Sequence, residues 1–289
     1  VQGKLSFSIR ALPSVFANVA TLSCKKTDKG CAREAASSAF AVLFVFMITG
    51  LIVLGLDFKF MAKWLPFILA GSGYTFLVAF LAISLACILA VVGALGRLSK
   101  NPIFNSIATS YVSLIRGTPL LVQIYMWYLA LPQIGKALEG YGIPGIQRLL
   151  TLPAVPAGIL ALGVCYGAYM TETVRAGIQS IKIGQTEAAK ALGMTTSQTM
   201  KRIIFPQALR VIIPPVSNEF IAMIKDSSMV SLMGVWEMSY RALKIGRRHF
   251  QSLEMLIMVA FIYWIMCVLL QFCQEKIEKH MARGDRRIS

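Results

Sequence analysis

Residues 65–96 read LPFILAGSGYTFLVAFLAISLACILAVVGALG, and this run of 32 residues contains no charged side chain. At a rise of about 1.5 Å per residue, a helix of this length is longer than the roughly 30 Å of hydrocarbon in a bilayer. The run is rich in Ala, Gly and Ser, which let helices approach one another closely inside a membrane. It therefore predicts a membrane-spanning helix that is tilted or partly re-entrant.

Working outward from this run, the chain shows further long apolar segments on both sides. Together they predict an all-α membrane protein, a bundle of about six transmembrane helices. The third segment is interrupted at Arg116-Gly117-Thr118-Pro119, because Pro lacks an amide hydrogen and Gly tolerates unusual dihedral angles. The predicted spans are 35–56, 65–96, 103–132, about 152–175, about 206–234 and about 255–272, with an exposed connection at 133–150.

The same pattern predicts the domain organisation. A polar segment at 1–34 precedes the first span, and it lacks the short basic region, apolar core and cleavage site of a signal peptide, so we expect the span at 35–56 to be a retained anchor. A transmembrane domain then occupies 65–275, and a basic tail follows at 276–289.

The composition agrees with a membrane protein and argues against other classes. The chain is 56% hydrophobic and 15% charged, with a mean hydropathy of +0.67. The net charge of +16 does not indicate nucleic-acid binding, because the basic residues flank apolar segments and form no basic face with interleaved aromatic residues. The six cysteines include no Cys-x-x-Cys pair and no histidine cluster, so no metal site is expected.

The distribution of Lys and Arg predicts the orientation in the membrane. One side of the six-helix arrangement receives 19 of the 29 basic residues, and it holds both termini and the interval 175–210; the other side receives eight, and Arg116 and Lys225 are not assigned. Cytoplasmic loops carry the excess of Lys and Arg. We therefore expect both termini, and the interval 175–210, to be cytoplasmic.

Residues 184–206 read GQTEAAKALGMTTSQTMKRIIFP and form the only long charged and amphipathic interval between apolar segments. The residues before Gly193 are strong helix formers, and this glycine stands where a left-handed cap would end a helix. Thr195 followed by Gln198 fits a capping box that opens a second helix. A helical hairpin in the cytoplasm is therefore predicted. Such a hairpin is either a solvated connector or a docking element.

Here the sequence resembles a known family. Its coupling-loop signature is Glu-Ala-Ala, three residues, Gly, nine residues, Ile, one residue and Leu-Pro, and it is typical of the permeases of prokaryotic ABC importers. Further segments resemble the polar amino-acid branch: RGTPLLVQ at 116–123, ETVRAGI at 172–178, PQALR at 206–210 and IKDSS at 224–228. The likeness extends over 65–278. The chain departs from the signature at Phe205, which replaces Leu, and matches it at Glu187, Ala188, Ala189, Gly193, Ile203 and Pro206.

The resemblance implies a permease that imports a polar amino acid across the cytoplasmic (inner) membrane and that is not itself an enzyme. It implies as partners two ATP-binding subunits docked on the 187–206 loop, a second permease that is identical or homologous, and an external substrate-binding protein. The chain has no Gly-x4-Gly-Lys-Ser/Thr phosphate loop. ATP and Mg are thus expected on the partner ATPase, and no cofactor is expected on this chain.

Four polar residues within the predicted spans are candidates for the substrate path: Glu172, Asn218, Lys225 and Asp226. Charged groups in a membrane are costly and often face a pathway. Each also has a structural explanation. Glu172 can pair with Arg175 one turn away, Lys225 and Asp226 can neutralise each other, and Asn218 can join two helices.

Two other function classes compete with the importer interpretation. Intramembrane acids would also serve an ion-coupled secondary amino-acid carrier, although the chain shows no internal repeat of the kind that many such carriers have. A membrane enzyme is not supported, because neither a zinc-binding His-Glu motif nor a Gly-x-Ser-x-Gly nucleophile elbow is present.

Overall fold

The structure is a computed structural model that describes the backbone of residues 55–285, with side chains up to 276 and at 278 and 279. The chain divides between Asp57 and Phe58 into two units, and the second is described below. The segment 1–34 and nearly all of the predicted first span lie outside the described residues. The boundaries at 65, 275 and 276 stay a prediction.

The second unit is helical throughout its described part, with no strand there, which confirms the predicted fold class. Three short non-α segments interrupt the helices: π-helical turns at Met126–Ala130 and Met200–Ile204, and a 3₁₀ helix at Ser227–Met233. The helices are α1 (Phe58–Leu69), α2 (Ser72–Leu98), α3 (Pro102–Arg116), α4 (Leu120–Tyr125), α5 (Leu131–Gly140), α6 (Ile146–Leu150), α7 (Ala154–Gln179), α8 (Ile183–Ala191), α9 (Thr196–Thr199), α10 (Phe205–Asp226), α11 (Met238–His249) and α12 (Ser252–Asp285).

Three of these helices are long and apolar enough to cross a membrane: α2, α7 and the Ser252–Lys276 part of α12. A fourth span results if α3 and the helical segment Leu120–Gly140, which meet at an angle of 105°, are counted as one broken span. The predicted fifth span corresponds to α10, which is less apolar because it contains three prolines and four charged residues. Its membrane crossing stays a prediction.

The structure divides one predicted segment and adds helices to another. The run 65–96 is divided, because the helix containing Pro66 ends at Leu69 and a tight turn follows, in which the amide of Gly71 donates to the carbonyl of Ile68 at 2.8 Å. The segment 133–150, predicted as an exposed connection, is mostly exposed, and it contains the end of α5, which continues to Gly140, and α6.

The core of the unit is the contact between α2 and α7. The buried face of α2 repeats every four residues with alanines, and Ala82, Ala86 and Ala90 are completely buried. Facing glycines on α7 allow the helices to come close: a Cβ atom at Gly163 would lie 2.7 Å from the side chain of Leu85, and one at Gly167 would lie 2.8 Å from that of Leu89. Small residues on both sides thus permit the close approach that stabilises helix pairs in lipid.

The break between α3 and α4 lies where the sequence predicts it, and a buried glutamine closes it. The Nε2 group of Gln123 donates to the carbonyl of Ile115 at 2.8 Å and to the carbonyl of Thr118 at 3.1 Å. These bonds add to the partners of the carbonyls at the break, since the carbonyl of Ile115 also accepts from the amide of Thr118 at 3.4 Å and from its hydroxyl at 3.3 Å. A backbone group without a partner is expensive in a membrane, so Gln123 makes the broken helix tolerable there.

A buried acid fixes the start of α11, between the spans. Glu237 is fully buried and accepts hydrogen bonds from the amides of Ser239 (2.8 Å) and Tyr240 (2.7 Å) and from the hydroxyl of Tyr263 (2.8 Å). Burial raises the pKa of the Glu237 carboxyl, and these hydrogen bonds oppose that shift. The carboxyl group therefore serves as the N-cap that positions α11.

The packing of α2 against α7 leads to a prediction about two glycines of α2. A Cβ atom at Gly93 would collide with the side chain of Thr171, which is held by a 2.8 Å hydrogen bond to the carbonyl of Gly167, whereas one at Gly73 would meet nothing within 4 Å. We expect Gly93→Ala to destabilise the protein by roughly 1–3 kcal/mol, and the matched Gly73→Ala to leave it unchanged or slightly more stable. Thermal unfolding in detergent measures both; equal melting temperatures for the two variants would contradict the prediction.

Candidate functional site

Residues 184–206, which the sequence predicts to form a helical hairpin, do form one. Helix α8 ends in a Schellman motif: the amide of Gly193 donates to the carbonyl of Lys190 at 2.9 Å, and the amide of Met194 donates to that of Ala189 at 3.0 Å. Gly193 has a φ of 74°, in the left-handed region that favours glycine. The glycine of the signature is therefore the residue that turns the chain back after α8.

The second half of the hairpin begins with the predicted capping box. The hydroxyl of Thr195 accepts from the amide of Gln198 at 3.3 Å, and the Gln198 side chain accepts from the amide of Thr195 at 2.9 Å. From there the π-helical turn Met200–Ile204 continues into α10 without a loop. Pro206 thus stands in the first turn of α10, directly after the π-helical turn.

The hairpin presents a mixed surface to solvent. Glu187 and Ala188 are exposed while Ala189 is buried, so the three signature residues at the centre of α8 divide between the two faces. Two large apolar residues are also exposed, Ile183 at 76% and Leu192 at 81%. Exposed apolar residues beside a charge are typical of a surface that another protein covers. Sequence reasoning missed Ile183 and Leu192, although apolar residues at both ends of a polar helix were a usable signal.

Of the other signature residues, Ile203 is half-buried and Pro206 is exposed. A glutamine next to them holds the two arms of the hairpin together. The Nε2 group of Gln207 lies 2.9 Å from the carbonyl of Ile203 and 3.5 Å from the side-chain oxygen of Gln185. The hairpin is therefore joined to α10 by both the backbone and a side chain.

Glu172 lies among arginines and not beside the other path candidates. Its carboxylate is 3.1 Å from the Arg97 guanidinium and 2.7 Å from that of Arg175. Arg97 also donates to the hydroxyl of Thr109 at 2.9 Å, so the cluster joins α2, α3 and α7. This geometry agrees with the structural explanation for Glu172, while its role in a substrate path stays a prediction.

Asp226 lines a small cavity of about 230 Å³ between α4, α7 and α10. Its carboxylate accepts a 2.8 Å hydrogen bond from the hydroxyl of Tyr166. A second acid, Glu219, stands two helical turns before Asp226 and faces the same space. The remaining lining residues are Leu120, Cys165 and Tyr169.

A positive charge lies at the edge of this cavity. The guanidinium carbon of Arg116 is 5.2 Å from the ring centre of Tyr169, and it is near enough to attract the carboxylate of Glu219. Two carboxylates and two tyrosines thus line the cavity, and one arginine lies beside it. Sequence reasoning did not include Glu219 among the candidates, although its spacing of seven residues from Asp226 places both acids on one helix face.

The other two path candidates lie elsewhere. Lys225 is exposed, and it does not line the cavity that its neighbour Asp226 lines. The side-chain oxygen of Asn218 accepts a 2.8 Å hydrogen bond from Gln274 of α12, which agrees with the helix-joining explanation. Among the described residues no group of three or more His, Cys, Asp or Glu side chains is arranged to hold a metal ion.

Curated relatives of this chain are permease subunits. Residues 82–283 match the family model for the binding-protein-dependent transport system inner membrane component. The L-cystine transport system permease protein TcyB of Bacillus subtilis is 40% identical over 219 residues, which are 75% of this chain and 88% of that protein. The arginine transport system permease protein ArgU of Corynebacterium glutamicum is 37% identical over 74% of this chain and 68% of its own.

Solved structures agree with these relatives. An amino acid ABC transporter crystallised with histidines is 34% identical, with a TM-score of 0.68 over 78% of this chain and 99% of that chain. The MetNI methionine ABC transporter, in an inward-facing conformation, has a TM-score of 0.55 at 17% identity and shows the shared fold alone. This chain therefore belongs to the binding-protein-dependent transport system inner membrane component family, the permease subunits of ABC transporters, which are transport components and not enzymes.

Proposed function

We propose that this chain is the membrane-spanning permease subunit of an ATP-driven importer of polar amino acids in the cytoplasmic membrane of a prokaryote. The observation that carries the proposal is the exposed hairpin of α8 and α9, which bears the signature residues within a chain of the permease family. The names of the relatives support an amino acid as the substrate. The comparisons favour this interpretation over an ion-coupled secondary carrier.

The proposed complex contains two ATP-binding subunits, a second permease that is identical or homologous, and an external substrate-binding protein. Both termini of the chain and the hairpin face the cytoplasm in this proposal, as the Lys and Arg distribution favours. ATP and Mg bind to the partner ATPase, because the chain has no phosphate loop. Hydrolysis then acts on the permease through the docked hairpin.

The ATPase contact comprises Glu187 and Ala188 on the exposed face of α8, with Ile183 and Leu192 as apolar anchors. The small side chain of Ala188 permits close approach of the partner. Gly193 shapes the turn, and the π-helical turn carries a displacement of α8 directly into α10. Apolar anchors near a charge are the usual pattern of a contact that is strong and oriented.

The substrate path includes the cavity of Glu219 and Asp226. A zwitterionic amino acid carries one ammonium and one carboxylate group, and the cavity offers matching partners for both. The two carboxylates attract the ammonium group or a basic side chain, and Arg116 attracts the carboxylate. Glu172, Asn218 and Lys225 line no part of this cavity. Asp226 is accordingly the one of the four predicted path residues that we propose contacts the substrate.

The docking proposal predicts the effect of reversing one charge. We expect Glu187→Lys to lower ATP-dependent uptake roughly tenfold or more, because a lysine would be brought against a surface shaped for an acid. Uptake and ATP hydrolysis are measured in proteoliposomes containing the complete transporter, together with co-purification of the ATPase. The control is Glu275→Lys, which reverses an exposed charge on α12. Normal uptake by Glu187→Lys with the ATPase bound would refute the docking surface.

A second prediction concerns the turn of the hairpin. Gly193 has open space around its Cβ position, so its requirement is conformational and not steric. We expect Gly193→Val to impair coupling strongly, since a left-handed conformation costs a β-branched residue more than about 1 kcal/mol. Gly193→Asn should retain most of the coupling, because asparagine tolerates this conformation. The ratio of transport to ATP hydrolysis distinguishes Gly193→Val from Gly193→Asn. Equal ratios in the two variants would show that coupling does not need the left-handed turn.

The cavity predicts which variants alter substrate handling. We expect Asp226→Asn and Glu219→Gln each to lower uptake of a cationic amino acid roughly tenfold or more, the value of one charge-assisted hydrogen bond. Glu275→Gln, which removes an exposed acid from α12, should have no effect. The binding protein is loaded with arginine, glutamine or glutamate, and initial uptake rates are measured over a range of its concentrations. If Asp226→Asn and Glu219→Gln change the uptake of all three substrates no more than Glu275→Gln does, the cavity does not bind substrate.

A further inference from the structure

Helix α11 is amphipathic and uses only one of its faces to pack. Met238, Ala242 and Ile245 are buried in a cluster with residues of α1 and α12. The opposite face holds a set of exposed cations, Lys244, Arg247 and Arg248, which we name the α11 basic face. The helix is thus fixed to the protein on one side and strongly positive on the other.

The α11 basic face has no acidic partner within the described part of the chain, where no ion pair involves any of its three residues. Its ordered contacts are with aromatic rings: the Lys244 ammonium lies 4.0 Å from the ring centre of Trp236 and 6.0 Å from that of Tyr240. Such cation–π contacts orient a lysine without neutralising it. The α11 basic face is therefore positively charged and available to bind an anion from outside the chain.

The position of α11 along the membrane normal follows from α12. Residues 255–274 of α12 are an uncharged run of 20 residues, which covers about 30 Å, the thickness of the hydrocarbon core. The hydrocarbon thus begins near Met255. The C-terminal end of α11 at His249 lies six residues before this boundary, in the layer of lipid headgroups. Its N-terminal end lies deeper, because Glu237 is hydrogen-bonded to Tyr263, eight residues into the run. Arg247 and Arg248 lie at the headgroup end of α11, and Trp236 and Tyr240, whose rings lie near Lys244, are on the hydrocarbon side of them.

Phe250 adds a second feature at the same level. It follows α11, it is 96% exposed, and its φ of 57° is in the left-handed region that bulky residues rarely adopt. A glycine would fit this position more easily. An aromatic side chain held in this conformation and facing outward at the edge of the hydrocarbon is suited to insertion among lipids.

From these observations we propose that α11 is a binding surface for the headgroups of anionic phospholipids. The α11 basic face contacts the lipid phosphates, Trp236 and Tyr240 lie on its hydrocarbon side, and Phe250 contacts the lipid beside its C-terminal end. Clustered Lys and Arg beside a span attract anionic lipid, each by about 1 kcal/mol near the surface.

The test uses the full-length purified chain in detergent, to which phosphatidylglycerol or phosphatidylcholine is added, with the melting temperature as the readout. We expect phosphatidylglycerol to raise the melting temperature more than phosphatidylcholine does. The triple variant Lys244→Gln, Arg247→Gln and Arg248→Gln should lose at least about half of this difference. A matched triple variant that removes three exposed charges elsewhere, Lys100→Gln, Lys136→Gln and Arg148→Gln, should retain it.

A second variant separates lipid binding from folding. Phe250→Gly relieves the left-handed conformation, so its melting temperature in detergent alone should not fall, while its increase on addition of either lipid should be smaller than that of the unaltered chain. If Phe250→Gly and the α11 triple variant respond to both lipids as the unaltered chain does, the proposal is wrong.

The competing occupant of this surface is a protein. In neutral phosphatidylcholine nanodiscs with the complete transporter, the α11 triple variant should bind the substrate-binding protein with unchanged affinity. A loss of affinity of roughly tenfold, together with an undiminished response to phosphatidylglycerol, would identify the surface as a protein-docking site and overturn the lipid proposal.

Discussion

The close approach of α2 and α7 is the contact on which the rest of the structure depends. In a membrane the hydrophobic effect does not hold helices together, and the attraction comes from van der Waals contact over a large area. The alanines of α2 and the glycines of α7 supply that contact, and α3, α4 and α10 pack around the pair. Both functional regions rely on this arrangement, because α7 lines the acidic cavity with Tyr166 and Tyr169 and leads directly into the hairpin at Ile183.

Much of this fold could be read from the sequence, because the signals that determine it are local. Apolar runs long enough for a bilayer indicated the helices of the core, the Arg116–Pro119 motif indicated the break, and the Gly193 and Thr195 positions indicated the hairpin with its caps. The division at Ala70 and Gly71 was missed because an uncharged run does not reveal a change of helix direction. The helices within 133–150 were missed because glycines there obscured the helical segments between them.

The candidate site was predictable only in part, for a different physical reason. The signature of the hairpin lies within 20 residues, so its geometry followed from neighbours in the sequence. The cavity combines α4, α7 and α10, and no local pattern shows that Tyr166 contacts Asp226 across 60 positions. The same limit applied to Glu172, for which Arg175 was a visible neighbour while Arg97, on a different helix, was not.

The paired prolines of α10, Pro214 and Pro215, lie between the hairpin and the cavity. Each removes one hydrogen bond of the helix, so the bending stiffness is lowest at this point. A tilt imposed at the hairpin end therefore bends α10 mainly at the prolines, and the nine residues before them move as one rigid segment. Gly177 of α7 is in tight contact with Ile212, next to the prolines, and this contact holds α10 against α7 at the bending point. The proposed docking hairpin and the proposed substrate cavity thus lie on opposite sides of the most flexible point of one helix.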